Sequence, residues 1–340
     1  MKPRDDYQPV LRATAPGRVN LIGDHTDYMG GLAMPMTVPM STVIEARQLP
    51  GRILLHSDSQ PEPLEMTLPV LDAASVTPKW GRYVAAVAQL LGAPLGVEGK
   101  ITSDLPVGAG LSSSAALEVA TALILGANGT TLDLARLCQA AEHLASGVPS
   151  GLMDQMAIIG SEPGHGLLID FTTLETESVP LPESFQFWVI DSNQRRKLEN
   201  SDYASRRAEC EKAQELIGPL PAADPALVES IVDPTLRARA RHVMSECARV
   251  RDFGDAMRAE DIAECGHLML SSHESLRVDF EVSTADLDNR VDDLMSTPGV
   301  HGARLTGAGF GGCLVALAEP QVELDGWRVS PSGAARLEIL

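Results

Sequence analysis

The sequence predicts an α+β protein of two domains, and three observations carry that expectation. At 340 residues the chain is long for one hydrophobic core. Strand-like runs bounded by turn residues occupy 11–55, whereas helical spacing dominates from about 201 to 296. Strands then resume on either side of that helical region, at 166–191 and 303–318, which puts a division at 170/171, domains 1–170 and 171–340.

The elements follow in chain order. Segments 37–46 (TVPMSTVIEA) and 51–56 are β-branched and apolar and read as strands. WGRYVAAVAQLL at 80–91 has helical spacing and stops near Gly92. A strand at 99–105 enters a loop rich in glycine and serine, and helices follow at 113–125 and 132–145. GVPSG at 147–151 breaks the second of these before a new element that carries Asp154. Segments 166–171 and 185–191 are apolar strands, the long helical region comes next, and 303–318 reads as strand, Gly-rich turn, strand.

Composition narrows the function. Lys and Arg total 27 against 46 Asp and Glu, a formal charge of −19. Such a surface disfavours nucleic acid and anionic membranes as partners. The five cysteines are widely spaced, with no Cys-x-x-Cys pair, which argues against a zinc site or a redox dithiol and fits free thiols in a reducing compartment. The N-terminus MKPRDDYQPV has no apolar stretch of the signal-peptide kind, and no run of about 18 apolar residues is present. A cytoplasmic protein is expected.

The loop Gly108-Ala109-Gly110-Leu111-Ser112-Ser113-Ser114 runs into a strong helix former. Glycine lets backbone approach a phosphate, the first helical N–H groups point at the anion, and hydroxyls add donors and a possible Mg²⁺ ligand. It is not a Walker loop, because no Gly-Lys-Ser/Thr follows. On residues alone a tight turn packing a helix on a sheet fits as well. Upstream, Asp24, His25 and Asp27 lie within four residues and can converge on one polyol, or form an Asx-turn and a helix cap.

Two further segments give these features a common meaning. APGRVNLIGDHTDY at 15–28 and RLTGAGFGGC at 304–313 flank the Ser-rich loop in a fixed order. Together the three closely resemble the motifs of the GHMP small-molecule kinases, and the first is similar to the galactokinase signature. Met153-Asp154-Gln155 resembles the family's Met-Asp-Gln element, and SDYASRR at 201–207 its Tyr-x-x-Arg-Arg helix start. Residues 272–283 (SHESLRVDFEVS) resemble another galactokinase stretch, so the likeness spans about 13–317.

The resemblance implies an N-terminal ribosomal-protein-S5-domain-2-like domain, a C-terminal ferredoxin-like α/β sandwich, and an active site between them. It implies ATP-dependent phosphorylation of galactose at its anomeric hydroxyl, the first step of galactose use by the Leloir route, with Mg²⁺. It places Asp154 as the catalytic aspartate with Arg18 beside it, a positive charge that favours the carboxylate form. Asp24, His25, Asp27, Gly151, Asp154 and Tyr203 would contact the sugar, Gly108 to Ser114 the nucleotide, and Ser114 and Glu142 the metal. The third motif is expected to brace the site near the nucleotide loop. Kinases for N-acetylgalactosamine or arabinose, and a non-catalytic galactose sensor, are the alternatives. Partners would be the sugar and ATP, with a monomer expected and a dimer left open. Two departures stand out: Asp24 replaces the glutamate usual in galactokinases, and the chain after the third motif lacks a helix, which would leave one sheet face less covered or covered differently.

Overall fold

The computed structural model describes residues 9–106, 110–194 and 200–340, and of Asn200 and Ser201 the backbone only. Its strands are β1 (Leu11–Ile22), β2 (Leu32–Leu49), β3 (Arg52–Ser57), β4 (Leu64–Thr67), β5 (Gly96–Ser103) and β6 (His165–Asp170). These are followed by β7 (Thr176–Pro180), β8 (Gln186–Asp191), β9 (Val300–Thr306), β10 (Cys313–Ala318), β11 (Trp327–Val329) and β12 (Arg336–Ile339). The helices are α1 (Gly81–Leu91), α2 (Ser113–Ile124), α3 (Thr131–Ser146), α4 (Met153–Gly160) and α5 (Asn200–Ile217). After them come α6 (Pro225–Ser230), α7 (Pro234–Arg258), α8 (Ile262–Val278) and α9 (Ala285–Met295).

Every residue of β1 from Ala13 to Ile22 is buried, as in a strand covered on both faces. It pairs antiparallel with β2, and the register shifts between Pro16 and Arg18 and again between Asn20 and Ile22. Gly17 sits in the first irregularity, where a Cβ would lie 2.7 Å from the Leu111 carbonyl oxygen. The missing side chain thus lets β1 run against the segment that opens α2, and Arg18 N–H bonds Leu111 O at 3.2 Å.

The large sheet runs β12-β1-β2-β5-β3-β4, with β6 and β7 added beside the first residues of β2. The smaller sheet runs β11-β8-β10-β9, antiparallel throughout. The division at 170/171 does not follow these sheets: β7 and β12, both beyond it, belong to the large one. The chain returns to its starting layer because β12 zips onto β1, from Leu11 opposite Ile339 to Thr14 opposite Arg336.

The two sheets share an apolar core. Phe187, Val189, Val315 and Leu317 from one face of the small sheet join Leu21, Met34 and Met36 of the large sheet, with α2, α7 and α8 residues between. The opposite face of the small sheet presents Trp188, Ile190, Leu314 and Ala316 to a second cluster containing Leu287, Val291 and Phe280. This face is covered: Trp188 is 3% exposed, and Val322 and Leu324 of the short connection after β10 pack into the same cluster.

Candidate active site

A cavity of about 390 Å³ opens where β1, α2, α3, α4, α5 and the turn after β9 meet. Arg18, Asp24, His25, Asp27, Ser114, Glu142, Gly151, Asp154 and Tyr203, nine residues named from sequence, all line it. Four carboxylates face it, and Arg18 is the one Lys or Arg among the described lining residues.

At its floor, Arg18 forms a two-pronged pair with Asp154 across 136 residues of sequence: Nε to Oδ1 at 2.7 Å and Nη2 to Oδ2 at 2.6 Å. The third guanidinium nitrogen donates to Gly110 O at 2.8 Å. Ser112 takes the cap position of α2 in a left-handed conformation (φ 57°), yet it does not cap the helix. Its hydroxyl donates to Asp154 Oδ2 instead. Asp154 itself stands in the first turn of α4, where a negative charge suits the helix dipole.

The remaining residues of the Ser-rich segment divide. Gly108 and Ala109 lie outside the described residues. Leu111 is a core side chain that offers only its carbonyl, and Ser113 is exposed on the first turn of α2. Ser114 Oγ donates to Glu142 Oε1 at 3.0 Å, bringing α2 and α3 together at the cavity wall. Glu142 Oε2 further accepts from Ser150 Oγ at 3.0 Å and from Gln155 Nε2 at 2.9 Å. Among the described residues no group of three or more His, Cys, Asp or Glu could hold a metal ion. Ser114 and Glu142 offer two hard oxygens, a set suited to an ion that keeps waters and phosphate oxygens as its other ligands.

The opposite wall comes from the loop after β1. His25 is held at φ 63°, a sparsely populated conformation for a side-chain-bearing residue. Its Nδ1 lies 3.0 Å from Tyr28 Oη and its Nε2 3.3 Å from Ala308 O. Its ring packs against Phe280 and Tyr203, with centroids 4.7 and 5.6 Å away. Tyr203 is in the first turn of α5, while the side chain of Ser201 lies outside the described residues. Asp27 rests against Gly151, where a Cβ would fall 1.5 Å from its Oδ2. Burial and then the charge of Asp154 push the Asp27 acid up to about 6, against the backbone N–H groups of Tyr28 and Met153.

Asp24 is turned away from open solvent. It is 3% exposed, and one oxygen pairs with Arg304 while the other accepts Gly307 N–H at 2.8 Å. Its described neighbours show what the third motif touches: Asp24, His25 and, through Phe310 N–H, Val282 O at 2.8 Å. Behind the loop, Glu246 of α7 accepts Gly23 N–H at 2.9 Å, and His242 Nε2 lies 3.1 Å from Asp24 O. Sequence reasoning missed Gln155, Ser150, Arg304, Glu246 and His242. Gln155 stood in a quoted motif and Arg304 opened another, but neither position carried a signal of its partner. Arg206 and Arg207, left without a role, bind Phe280 O at 2.8 Å and Pro149 O at 3.1 Å and so fasten α5 over the site.

Comparison with known proteins accounts for this arrangement. The GHMP kinase N-terminal domain matches residues 82–162, the GHMP kinase C-terminal domain 255–325, and the galactokinase galactose-binding signature 5–48. Human galactokinase is 40% identical over 92% of this chain and 84% of its own length. The chain belongs to the galactokinase family of GHMP kinases. This galactokinase-family chain is similarly related to the Chloroflexus aggregans galactokinase, 40% identical over 92% of the chain and 85% of that protein. A solved Lactococcus lactis galactokinase, complexed with galactose, superposes with a TM-score of 0.90 at 30% identity, covering 96% of this chain and 95% of that one. The Methanococcus jannaschii mevalonate kinase shares the fold, with a TM-score of 0.67 at 20% identity over 93% and 92% of the two chains. The two-sheet α+β architecture is thus that of the GHMP kinases, and the chain is a sugar kinase.

Proposed function

We propose that this kinase transfers the γ-phosphoryl group of ATP to the anomeric hydroxyl of galactose, giving galactose 1-phosphate and ADP in the cytoplasm. The observation that carries the reading is the Asp154 carboxylate, clamped by Arg18 and Ser112 at the floor of a cavity rich in carboxylates. Such walls suit a polyol, whose hydroxyls need acceptors. They repel a bare triphosphate, so Mg²⁺ must arrive with the nucleotide. Ser114 and Glu142 would hold it, and it spreads the negative charge of the transferring group when bound.

The chain's own groups position and desolvate. His25, Asp27 and Tyr203 hold sugar hydroxyls on one wall, with Gly151 giving backbone access. Asp24 supports that wall through Arg304 and Gly307. The anomeric hydroxyl is oriented by Asp154, which takes its proton as the bond to phosphorus forms. A loose phosphoryl-transfer transition state needs little early deprotonation, so an aspartate fixed by an arginine suffices. The described part of the Ser-rich segment, Gly110 to Ser114, lies alongside as the nucleotide wall.

The test is Asp154→Asn. Turnover is expected to fall by about 10²-fold or more with galactose affinity retained. A variant that binds galactose normally and keeps more than about a tenth of the rate, a barrier change of only ~1.4 kcal/mol, has lost no proton acceptor and sinks the role. Because Asp24 is engaged by Arg304, a panel of galactose, N-acetylgalactosamine and arabinose in a coupled ADP assay belongs beside it. A clearly higher kcat/KM for another sugar overturns galactose as the substrate.

A further inference from the structure

Behind Glu142, outside the lining of the cavity, two side chains form a buried pair that the proposed mechanism does not use. Gln155 of α4 and Glu118 in the middle of α2 are both 0% exposed. Gln155 Nε2 donates to Glu142 Oε2 at 2.9 Å and to Glu118 Oε2 at 3.3 Å, which occupies both of its N–H bonds. The other oxygen of each group, Gln155 Oε1 and Glu118 Oε1, is buried without a hydrogen-bond partner among the described residues. Those two oxygens belong to side chains already joined at their other ends. Burial and the nearby Glu142 charge push the Glu118 acid well above the usual carboxylate range. An ionised Glu118 would leave one buried oxygen bare on each group and set two negative charges on one amide nitrogen, an expensive arrangement. A single proton removes all three problems.

We propose that Glu118 is a neutral acid paired reciprocally with the Gln155 amide, Nε2–H to Glu118 Oε2 and the Glu118 O–H to Gln155 Oε1, and that it is thereby a positioning residue for Glu142. Given to the amide oxygen, the acid's O–H fixes which end of the amide faces Glu142. Turned over, the amide would set its oxygen against the Glu142 carboxylate. The inference rests on the reading of Glu142 as a ligand of the nucleotide-bound metal.

The experiment measures Mn²⁺ affinity by electron paramagnetic resonance in the presence of a non-hydrolysable ATP analogue, with galactose affinity as the control for an intact fold. Glu118→Gln keeps one donor and one acceptor in the same shape and is expected to leave Mn²⁺ affinity unchanged. Glu118→Leu is expected to weaken it by about 10-fold, the scale seen for groups that orient metal ligands. Gln155→Met should do the same, and it answers the question if Glu118→Leu proves too unstable. Infrared difference spectra of wild type minus Glu118→Gln should show a carboxylic-acid carbonyl band at neutral pH. Unchanged Mn²⁺ affinity in Glu118→Leu and Gln155→Met overturns the inference, as does a Glu118→Gln variant as weak as Glu118→Leu, or a carboxylate signature in the infrared. Glu142→Ala separates the two readings. If it leaves Mn²⁺ affinity unchanged, the ligand reading fails and this one with it. If it weakens binding while the other variants do not, only the positioning of Glu142 by Glu118 fails.

Discussion

In the proposed reading, Asp27 combines sugar recognition with a cost to the fold. Its acid is raised from an ordinary 3.8 to about 6, so the folded protein holds the proton more tightly than the unfolded chain. Stability from this group is therefore full below about 3.8 and is lost as pH rises through about 6. At pH 7 the ionised, half-buried carboxylate works against folding. Asp27→Asn should raise stability there by on the order of 1–2 kcal/mol, with the gain disappearing near pH 4, as thermal melts at the two pH values would reveal. Sugar binding should run the opposite way. Galactose affinity of the wild type is expected to fall as pH drops through about 6, and that of Asp27→Asn to be weak and flat. A wild-type affinity independent of pH between 5 and 8 would remove Asp27 from the set of ionised sugar acceptors.

At the scale of elements, α3 and α4 and the turn between them decide where three functional groups stand. α3 opens on a full capping box, Thr130 with Asp133, and closes on Gly147 in a left-handed conformation. Thr130→Ala should cost about 1 kcal/mol of stability and leave turnover intact, because the cap lies at the far end of the helix from Glu142. The turn tolerates less. Any side chain at Gly151 would occupy the place of the Asp27 carboxylate. Gly151→Ala is expected to weaken galactose binding by about 10-fold or more by shifting Asp27, while the far-off elements keep their packing. Calorimetric titration decides it: normal affinity in Gly151→Ala means the turn can yield without moving the sugar wall.

Across the whole molecule, Glu246 is the knot. It lies on α7 and binds the loop after β1 through Gly23, α8 through Ser272, and Arg249 on its own helix, with Arg304 of β9 3.8 Å away. Burial alone would raise its acid, but Arg249 and Arg304 outweigh it and bring it down to about 2 from 4.5. The sign is opposite to that of Asp27. Stability from Glu246 is complete above about 4.5 and is lost as pH falls towards 2. Glu246→Gln should cost about 3–5 kcal/mol at neutral pH, because it leaves two arginines short of a counter-charge and keeps the shape. Denaturant unfolding measures this, and a loss under about 1 kcal/mol would show that Asp24 alone neutralises Arg304.

Much of this protein could be read from its sequence because the relevant physics is local. Apolar periodicity and turn residues placed most of the helices and strands, and the resemblance of several separate motifs to the GHMP kinases picked out nine lining residues of the cavity, from Arg18 to Tyr203. The short strands β7 and β12 escaped, since four or five residues at a sheet edge carry too little pattern to be told from loop. Tertiary structure alone decided the partners. The resemblance made Asp24 a sugar contact, and only the fold showed that one of its oxygens pairs with Arg304, 280 residues away. Ser112 looked like one hydroxyl of a phosphate loop and was found on Asp154. Glu118 carried no signal in the sequence, and burial leaves it beside Gln155 with no cation to pair with among the described residues. Which residues can ionise or donate is written in the chain. Which of them must keep a proton, or face one another, depends on what the packing removes from water.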